Sequence, residues 1–208
     1  MPRVSILMSV YNGEKTLQES LNSIYRQSYT DWELIIINDC STDNSPDILS
    51  SAKAIFYNIK IITNSQNIGL TKSLNKGLLH CSGEYVARID ADDSWNKDKL
   101  KKQVAFLDRN DTYGLVATNS FVIDIKGVNR SYNELDLESD SQLKSAMIKF
   151  NPFVHSSVLF NRRIVEELGG YDESYKYAQD YNLWARMMAY CKFYKISEKL
   201  TYIRESRT

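Results

Sequence analysis

Apolar residues recur along the first half of the chain in two alternating patterns. Almost uninterrupted apolar runs of strand length cover residues 4–10, 32–39, 59–63 and 85–89. Runs of this kind are typical of strands that are buried on both faces. Between them, apolar residues recur every three or four positions, as at Leu17, Leu21 and Ile24, which predicts amphipathic helices. The second of these helices is predicted to begin at Pro46, with Ser45 as its cap. Strands and helices that alternate in this way indicate βαβ units, so we expect an α/β fold with a mainly parallel sheet.

The pattern becomes less regular in the second half. Further strands are predicted at residues 114–118, 121–125, 151–160, 193–196 and 200–203, and a polar loop at 133–141. Helices are predicted near residues 100–107, 143–148, 162–168 and 180–191. Because no repeat, Pro/Gly/Ser-rich linker or low-complexity run divides the chain, we expect residues 1–208 to form one domain.

Composition narrows the class of protein. The 208 residues are 43% hydrophobic and 25% charged, as in soluble globular proteins. With 26 basic and 26 acidic residues, the net charge does not indicate nucleic acid or an acidic membrane as a partner. The three cysteines have no Cys-x-x-Cys spacing, which argues against a disulfide framework and a zinc site. With no signal peptide and no apolar run near the ~18 residues of a membrane span, we expect a cytoplasmic protein.

Three carboxylates follow the strand that ends at Ile89: Asp90, Asp92 and Asp93. A divalent cation would relieve their mutual repulsion, and open α/β sheets bind ligands at the carboxyl ends of their strands. Asp and Ser are also good residues for a turn that caps the next helix. The residues alone therefore leave a metal site and a polar turn equally open.

Other polar residues carry the same ambiguity. Asp39 ends the second strand, and it could accept hydrogen bonds from a base or ribose or form an Asx turn. A lone histidine such as His155 is more often an ordinary hydrogen-bonded residue than a ligand. Asp180 begins a predicted helix, where an acid also complements the helix dipole.

Several enzyme classes lose support from motifs that are missing or misplaced. There is no Gly-x-Gly-x-x-Gly and no Gly-Lys-Ser/Thr loop, which argues against a Rossmann oxidoreductase and a P-loop enzyme. A haloacid-dehalogenase-type phosphatase carries Asp-x-Asp after its first strand, whereas the first strand here ends in Ser9-Val10-Tyr11-Asn12.

A set of segments, taken together, resembles family 2 glycosyltransferases of the bacterial surface-glycan type. The segments are residues 4–14, 23–29, 33–43, 67–70, 83–93, 151–158 and 179–184. They follow the family's order along nearly all of the chain. The resemblance implies a GT-A fold, a Rossmann-like three-layer α/β/α arrangement with a mainly parallel central sheet and a small antiparallel portion. It also implies that residues 1–95 bind the nucleotide-sugar and residues 96–208 bind the acceptor.

The resemblance also implies a role for individual residues. Asp180 would be the general base that deprotonates an acceptor hydroxyl. Asp92 would ligate Mn²⁺ or Mg²⁺ on the donor diphosphate, and Asp39 would hydrogen-bond the nucleotide base. The other residues expected to bind the nucleotide-sugar are Ser9, Tyr11, Asn12, Glu14, Asn67, Asp90 and Ala91, while Asp93 and His155 are expected to line the site.

The function that the resemblance implies is a metal-dependent, inverting transfer of one sugar from a nucleotide-sugar, most simply a UDP-sugar. The acceptor would be a hydroxyl of a glycan or lipid-linked molecule, reached by peripheral association with the inner face of the cell membrane. No Gln-x-x-Arg-Trp motif follows Asp180, which favours single addition over processive synthesis. Asn38, Cys40 and Gln179 depart from the family's usual residues. They leave open a non-catalytic nucleotide-sugar-binding domain or a partner subunit of an active enzyme.

Overall fold

The computed structural model describes residues 1–55, 57–124 and 137–205, together with the backbone of residues 129–130. The strands are Val4–Val10 (β1), Trp32–Asn38 (β2), Ile59–Thr63 (β3), Tyr85–Arg88 (β4), Ser94–Trp95 (β5), Tyr113–Ile123 (β6), Asn129–Arg130 (β7), Leu159–Asn161 (β8) and Lys192–Arg204 (β9). The helices are Leu17–Tyr25 (α1), Ser45–Ile55 (α2), Leu70–Leu78 (α3), Lys99–Leu107 (α4), Asp140–Met147 (α5), Arg162–Glu167 (α6) and Gln179–Met187 (α7), and a 3₁₀ turn covers His155–Ser157. The parts of the predicted strand and loop that fall at 125 and 133–136 lie outside the described residues.

The strands form one sheet in the order β3-β2-β1-β4-β8-β6-β9-β5, with β7 paired to β6. β1 runs parallel to β2 and β4, and β2 runs parallel to β3, so the carboxyl ends of these strands share one edge. β8 is antiparallel to both β4 and β6, whereas β6 and β9 pair in parallel. The expected parallel sheet with an antiparallel portion is confirmed.

Helices pack on both faces of the sheet, which makes it the middle of three layers. Strand β2 shows why the middle of its sequence is apolar: Leu34 and Ile36 face the core beneath α1 and α4, while Ile35 faces the core beneath α3 and α7. A strand that is covered on both sides has no solvent-facing position for a polar residue. Within the described part of the chain, no helix has the length and apolar character that crossing a membrane would require.

The prediction of short separate strands in the second half was wrong. The strands predicted at 114–118 and 121–125 are one strand, β6, and those predicted at 193–196 and 200–203 are also one, β9. The polar residues that suggested breaks lie inside the ladder, where Asn119 Nδ2 donates to the Ser197 carbonyl oxygen at 3.0 Å. The hydroxyls of Thr118 and Thr201 are 2.9 Å apart. Register shifts between β6 and β9 at this point absorb the irregularity.

Two local predictions also change. The strand predicted at 151–160 is reduced to the 3₁₀ turn and β8. Ser45 does not precede helix α2 as its cap but begins it, and the Asp43 carboxylate accepts a hydrogen bond from the Ser45 backbone nitrogen at 2.9 Å. An aspartate that accepts from a free backbone N–H at a helix start fills the role predicted for Ser45.

Candidate active site

A cavity of about 550 Å³ opens where the carboxyl ends of β1 and β4 meet. It is lined by Ser9, Tyr11, Asn12, Gly13, Glu14, Lys15, Thr16, Asp43, Asp90, Ala91, Asp92, Arg204 and Glu205. All of the residues expected to bind the nucleotide-sugar line it, with the exception of Asp39 and Asn67. Asp93, His155 and Asp180 are not in its wall either.

Two loops beside the cavity hold each other through their side chains. They are the loop after β1 and the loop after β2. The Asn12 side-chain oxygen accepts a hydrogen bond from the Thr42 backbone nitrogen at 2.9 Å. A Glu14 carboxylate oxygen accepts one from the Asn44 backbone nitrogen at 3.1 Å. Asn12 and Glu14 therefore shape the cavity by fixing the second loop, in addition to lining it.

The second loop includes a strained residue, Cys40, whose φ of 61° lies in the left-handed region. A residue with a Cβ atom is disfavoured there by roughly 1–2 kcal/mol, whereas glycine is not. We expect Cys40→Gly to raise the free energy of unfolding by about 0.5–1 kcal/mol, since the relief of strain exceeds the extra chain entropy of glycine.

Cys40→Ala is the matched control for this prediction. Both variants lose the contact between Cys40 Sγ and the Ser65 carbonyl oxygen, but alanine keeps the Cβ atom. Urea denaturation measures both free energies. Equal stability of the glycine and alanine variants would contradict the assignment of strain to this position.

Asp39 lies beneath the cavity and is 2% exposed. Its Oδ1 accepts hydrogen bonds from Asn64 Nδ2 at 2.7 Å and from the Ile68 backbone nitrogen at 2.9 Å. Its Oδ2 accepts from the Gly69 backbone nitrogen at 2.9 Å. A carboxylate accepts about four hydrogen bonds, so capacity for one remains and the contact with a base stays a prediction. Asn67, in the same loop, is exposed.

The acid cluster after β4 consists of Asp90, Asp92 and Asp93. It is held in place by Arg88, whose side chain is completely buried. Its guanidinium contacts the Asp90 carboxylate and the Ile89 carbonyl oxygen. Burial alone would raise the pKa of Asp90, but the charge of Arg88 and the hydrogen bonds from Arg88 and Ser156 to the carboxylate hold that pKa below its usual value. Asp90 is therefore ionised at neutral pH.

The surroundings of Asp92 and Asp93 have the opposite effect and raise the pKa of both carboxyl groups. Burial, and then the charge of Asp90, raise the pKa of Asp92. Burial and the charges of both neighbouring acids raise the pKa of Asp93 to about 8. Asp93 Oδ1 accepts a hydrogen bond from the Arg204 backbone nitrogen at 2.9 Å, which ties it to the end of β9. Asp90 and Asp92 are left to face the cavity.

Asp90 and Asp92 suit a divalent cation whose other ligands are diphosphate oxygens. Among the described residues there is no group of three or more His, Cys, Asp or Glu side chains that could hold a metal ion. Mg²⁺ bound through phosphates needs only one or two protein carboxylates, and Mn²⁺ also prefers oxygen ligands. Asp92 offers such an oxygen, and a cation would stabilise the ionised form that burial and Asp90 disfavour.

Asp180 is the second residue of α7 and is half-buried. Its Oδ2 accepts a hydrogen bond from Asn151 Nδ2 at 2.9 Å. Burial raises its pKa and the charge of Asp90 adds to the increase, although the hydrogen bond from Asn151 acts against it. The contribution of Asp90 is the smallest of these, so the acid of α7 and the acids after β4 influence each other weakly.

His155 lies in the 3₁₀ turn, next to Ser156, which contacts Asp90. Its Nε2 is 2.9 Å from the Tyr171 hydroxyl, and its ring packs edge-on against the rings of Tyr171 and Trp184. Burial and the charge of Arg88 lower the pKa of His155 to about 3, so the imidazole is neutral at neutral pH. A neutral ring suits a packing role beside the acids.

Several residues that hold the acids in place carried no recognised role in the sequence: Arg88, Asn151, Ser156 and Arg204. Asn151 and Ser156 fall in the segment that was noted only for His155. No sequence pattern marked Arg204. Its Nε donates at 3.1 Å to the carbonyl oxygen of Asp92, a residue that is 112 positions earlier in the chain. Only the folded sheet brings those two residues together.

The three-layer arrangement and its sheet match solved structures of glycosyltransferases with the GT-A fold. The structure of S. aureus TarS 1-349 in complex with UDP-GlcNAc matches with a TM-score of 0.81 over 99% of this chain and 59% of that one, at 22% identity. The mannosyltransferase PcManGT from Pyrobaculum calidifontis, in complex with GDP-Man and Mn²⁺, matches with a TM-score of 0.74 over 98% and 56%, at 24% identity. These likenesses show the fold.

The family model for glycosyl transferase family 2 matches residues 5–169, and the chain belongs to this family. The putative glycosyltransferase EpsE of Bacillus subtilis (strain 168) is 37% identical over 98% of this chain and 73% of EpsE. The amylovoran biosynthesis glycosyltransferase AmsE of Erwinia amylovora is 31% identical over 89% of this chain and 69% of AmsE. The resemblance seen in the sequence motifs is confirmed.

Proposed function

We propose that this protein transfers one sugar from a UDP-sugar to a hydroxyl group of a glycan or lipid-linked acceptor, with the help of a divalent cation. The observation that carries the proposal is the convergence of Ser9, at the end of β1, and Tyr11, just after it, with Asp90 and Asp92 after β4 in one cavity. Its volume of about 550 Å³ lies within the usual range for ligand sites. TarS is bound to UDP-GlcNAc and PcManGT to GDP-Man and Mn²⁺, which supports a nucleotide-sugar as donor.

In this proposal, residues 1–95 supply the donor site. The ring of Tyr11 is 54% exposed and offers a face on which a base can stack. Asp92 would hold Mn²⁺ or Mg²⁺ against the diphosphate, and the cation would stabilise the negative charge that develops on the leaving nucleoside diphosphate. Arg88 keeps Asp90 ionised beside it.

Residues 96–208 supply the acceptor side, where Asp180 acts as the general base. A sugar hydroxyl is a poor nucleophile, so a positioned carboxylate that takes its proton in the transition state accelerates attack. Burial raises the pKa of Asp180 and brings it closer to neutral pH, where proton transfer is more effective. With the base and the leaving group on opposite sides of the sugar, the displacement takes one step and inverts the anomeric carbon.

Thermal unfolding with UDP, GDP, TDP or ADP, each with and without Mn²⁺, tests the donor site. A ligand at 100 times its dissociation constant stabilises the fold by about 2.7 kcal/mol, which is a shift of several degrees for a chain of this size. We expect selective, Mn²⁺-dependent stabilisation by UDP, followed by UDP release from a UDP-sugar. No shift with any nucleotide would contradict the proposal, and UDP binding without turnover would favour a non-catalytic domain.

A further inference from the structure

One short segment, residues 151–156, contacts two carboxylates with different roles in the proposed reaction. At its start, Asn151 Nδ2 donates to Asp180 Oδ2 at 2.9 Å. Near its end, Ser156 Oγ accepts from the Asp90 backbone nitrogen at 2.9 Å and donates to Asp90 Oδ2 at 3.2 Å. The segment therefore spans from the base on α7 to the acid cluster after β4.

The Ser156 end of the segment is fixed by buried contacts. Ser156 and Ser157 are completely buried. The Ser156 carbonyl oxygen accepts from Trp95 Nε1 at 2.8 Å, and the Ser157 carbonyl oxygen accepts from Gln103 Nε2 at 2.8 Å. These contacts join the 3₁₀ turn to β5 and α4, so the Ser156 hydroxyl has little freedom to move away from Asp90.

The Asn151 end is also fixed. The Asn151 side-chain oxygen accepts from the Phe153 backbone nitrogen at 3.1 Å, which leaves its amide N–H group directed at Asp180. Between the two ends, His155 contacts Tyr171 and packs against Trp184 of α7. The segment is thus attached both to the helix that carries the base and to the strand that carries the acids.

We infer that residues 151–156 set the separation and orientation of the Asp90 and Asp180 carboxylates, with Asn151 and Ser156 as the positioning residues. The inference rests on the proposed function, in which Asp90 belongs to the donor site and Asp180 is the base. Transfer requires the attacking group and the donor to be held within a fraction of an ångström of their reactive geometry. One rigid segment that binds both carboxylates meets this requirement.

The experiment compares Ser156→Ala and Asn151→Ala with Ser157→Ala as the matched control. Ser157→Ala also removes a buried hydroxyl, but that hydroxyl donates only to the Val154 carbonyl oxygen at 2.7 Å. Calorimetric titration measures UDP binding in the presence of Mn²⁺. Release of UDP from UDP-GlcNAc or UDP-glucose, whichever the wild type hydrolyses faster, measures the rate at saturating donor.

The two positioning variants should differ in which property they change. We expect Ser156→Ala to weaken UDP binding about tenfold, as is typical when a partner of a ligand-binding carboxylate is removed. We expect Asn151→Ala to leave UDP binding within about twofold of the wild type and to lower the rate at saturating donor about tenfold. Ser157→Ala should change neither property.

Failures of the inference and of the proposed function are separable. An active wild type whose Ser156→Ala and Asn151→Ala variants match Ser157→Ala would overturn the inference alone. A wild type that neither binds UDP nor releases it would overturn the proposed function and the inference with it. If Ser156→Ala does not fold, Asn151→Ala still decides, because Asn151 is only half-buried and its loss leaves the buried turn intact.

Discussion

Replacement of Asp180 by asparagine is expected to lower the rate of sugar transfer by roughly a hundredfold to ten-thousandfold, the usual contribution of a general base. Asparagine has the same shape and can still accept a hydrogen bond from Asn151, but it cannot take a proton from the acceptor. UDP binding with Mn²⁺ should therefore be unchanged. Initial rates of UDP release at saturating donor measure the loss.

Asp172→Asn is the matched control for Asp180→Asn. Asp172 is an exposed carboxylate in the turn before α7, and its side chain accepts hydrogen bonds from the backbone nitrogen and hydroxyl of Ser174 at 2.9 and 2.7 Å. Its replacement should leave the rate within about twofold, since it lies outside the proposed site. If Asp180→Asn retained the same rate as this control, Asp180 would not be the base.

The pH dependence of the rate gives the same assignment a second readout. Asp180 acts in its ionised form, so the rate at saturating donor should fall as the pH drops through its pKa. Burial places that pKa above the ordinary range of aspartate, and Asp90 is the charged group that adds to the shift. The hydrogen bond from Asn151 lowers the pKa, so in Asn151→Ala the acid limb of the profile should move to higher pH.

The second large effect is expected for Asp92→Ala, which should lose the Mn²⁺-dependent part of UDP binding. At a UDP concentration that stabilises the wild type by about 2.7 kcal/mol, a hundredfold weaker affinity leaves only about 0.4 kcal/mol. Without ligand, the variant should be no less stable than the wild type, because Asp90 and burial disfavour the charge that it loses. Thermal unfolding with and without UDP and Mn²⁺ measures both quantities.

The combination of normal stability with a lost ligand response separates a metal ligand from a structural residue. Asp111→Ala is the control, because Asp111 is an exposed carboxylate in the turn before β6. It should respond to UDP and Mn²⁺ as the wild type does. Full Mn²⁺-dependent stabilisation of Asp92→Ala would show that other groups hold the cation.

The parallel part of the sheet could be predicted from the sequence because burial on both faces produces an unmistakable pattern. Leu34, Ile35 and Ile36 alternate between the two cores, so no polar residue interrupts the middle of β2. The same rule misled in β6, where Asn119 and Ser120 indicated a break. They are 5% and 1% exposed, and the Asn119 side-chain amide donates to the Ser197 carbonyl oxygen of β9. Sequence periodicity does not show a partner that is distant in the chain.

The same contrast between local pattern and distant partner applies to the candidate site. Asp90 and Asp92 were predicted because acids directly after a buried strand have a recognisable local cause. What holds them could not be predicted, since Arg204 and Ser156 reach them from β9 and the 3₁₀ turn. The secondary role of Asn12 and Glu14 in fixing the loop after β2 depends on backbone atoms that no motif describes.

The position of β9 has a consequence for how the protein is made. This strand lies between β6 and β5, and its Arg204 contacts both Asp93 and the Asp92 carbonyl oxygen. Asp92 leaves the ribosome 112 residues before Arg204, a delay of roughly 6–22 seconds at a typical synthesis rate. During that interval the nascent chain already carries Asp90, Asp92 and Asp93 but lacks the strand whose Arg204 contacts two of them. The acid cluster therefore cannot reach its final geometry until β9 has emerged and paired with β6.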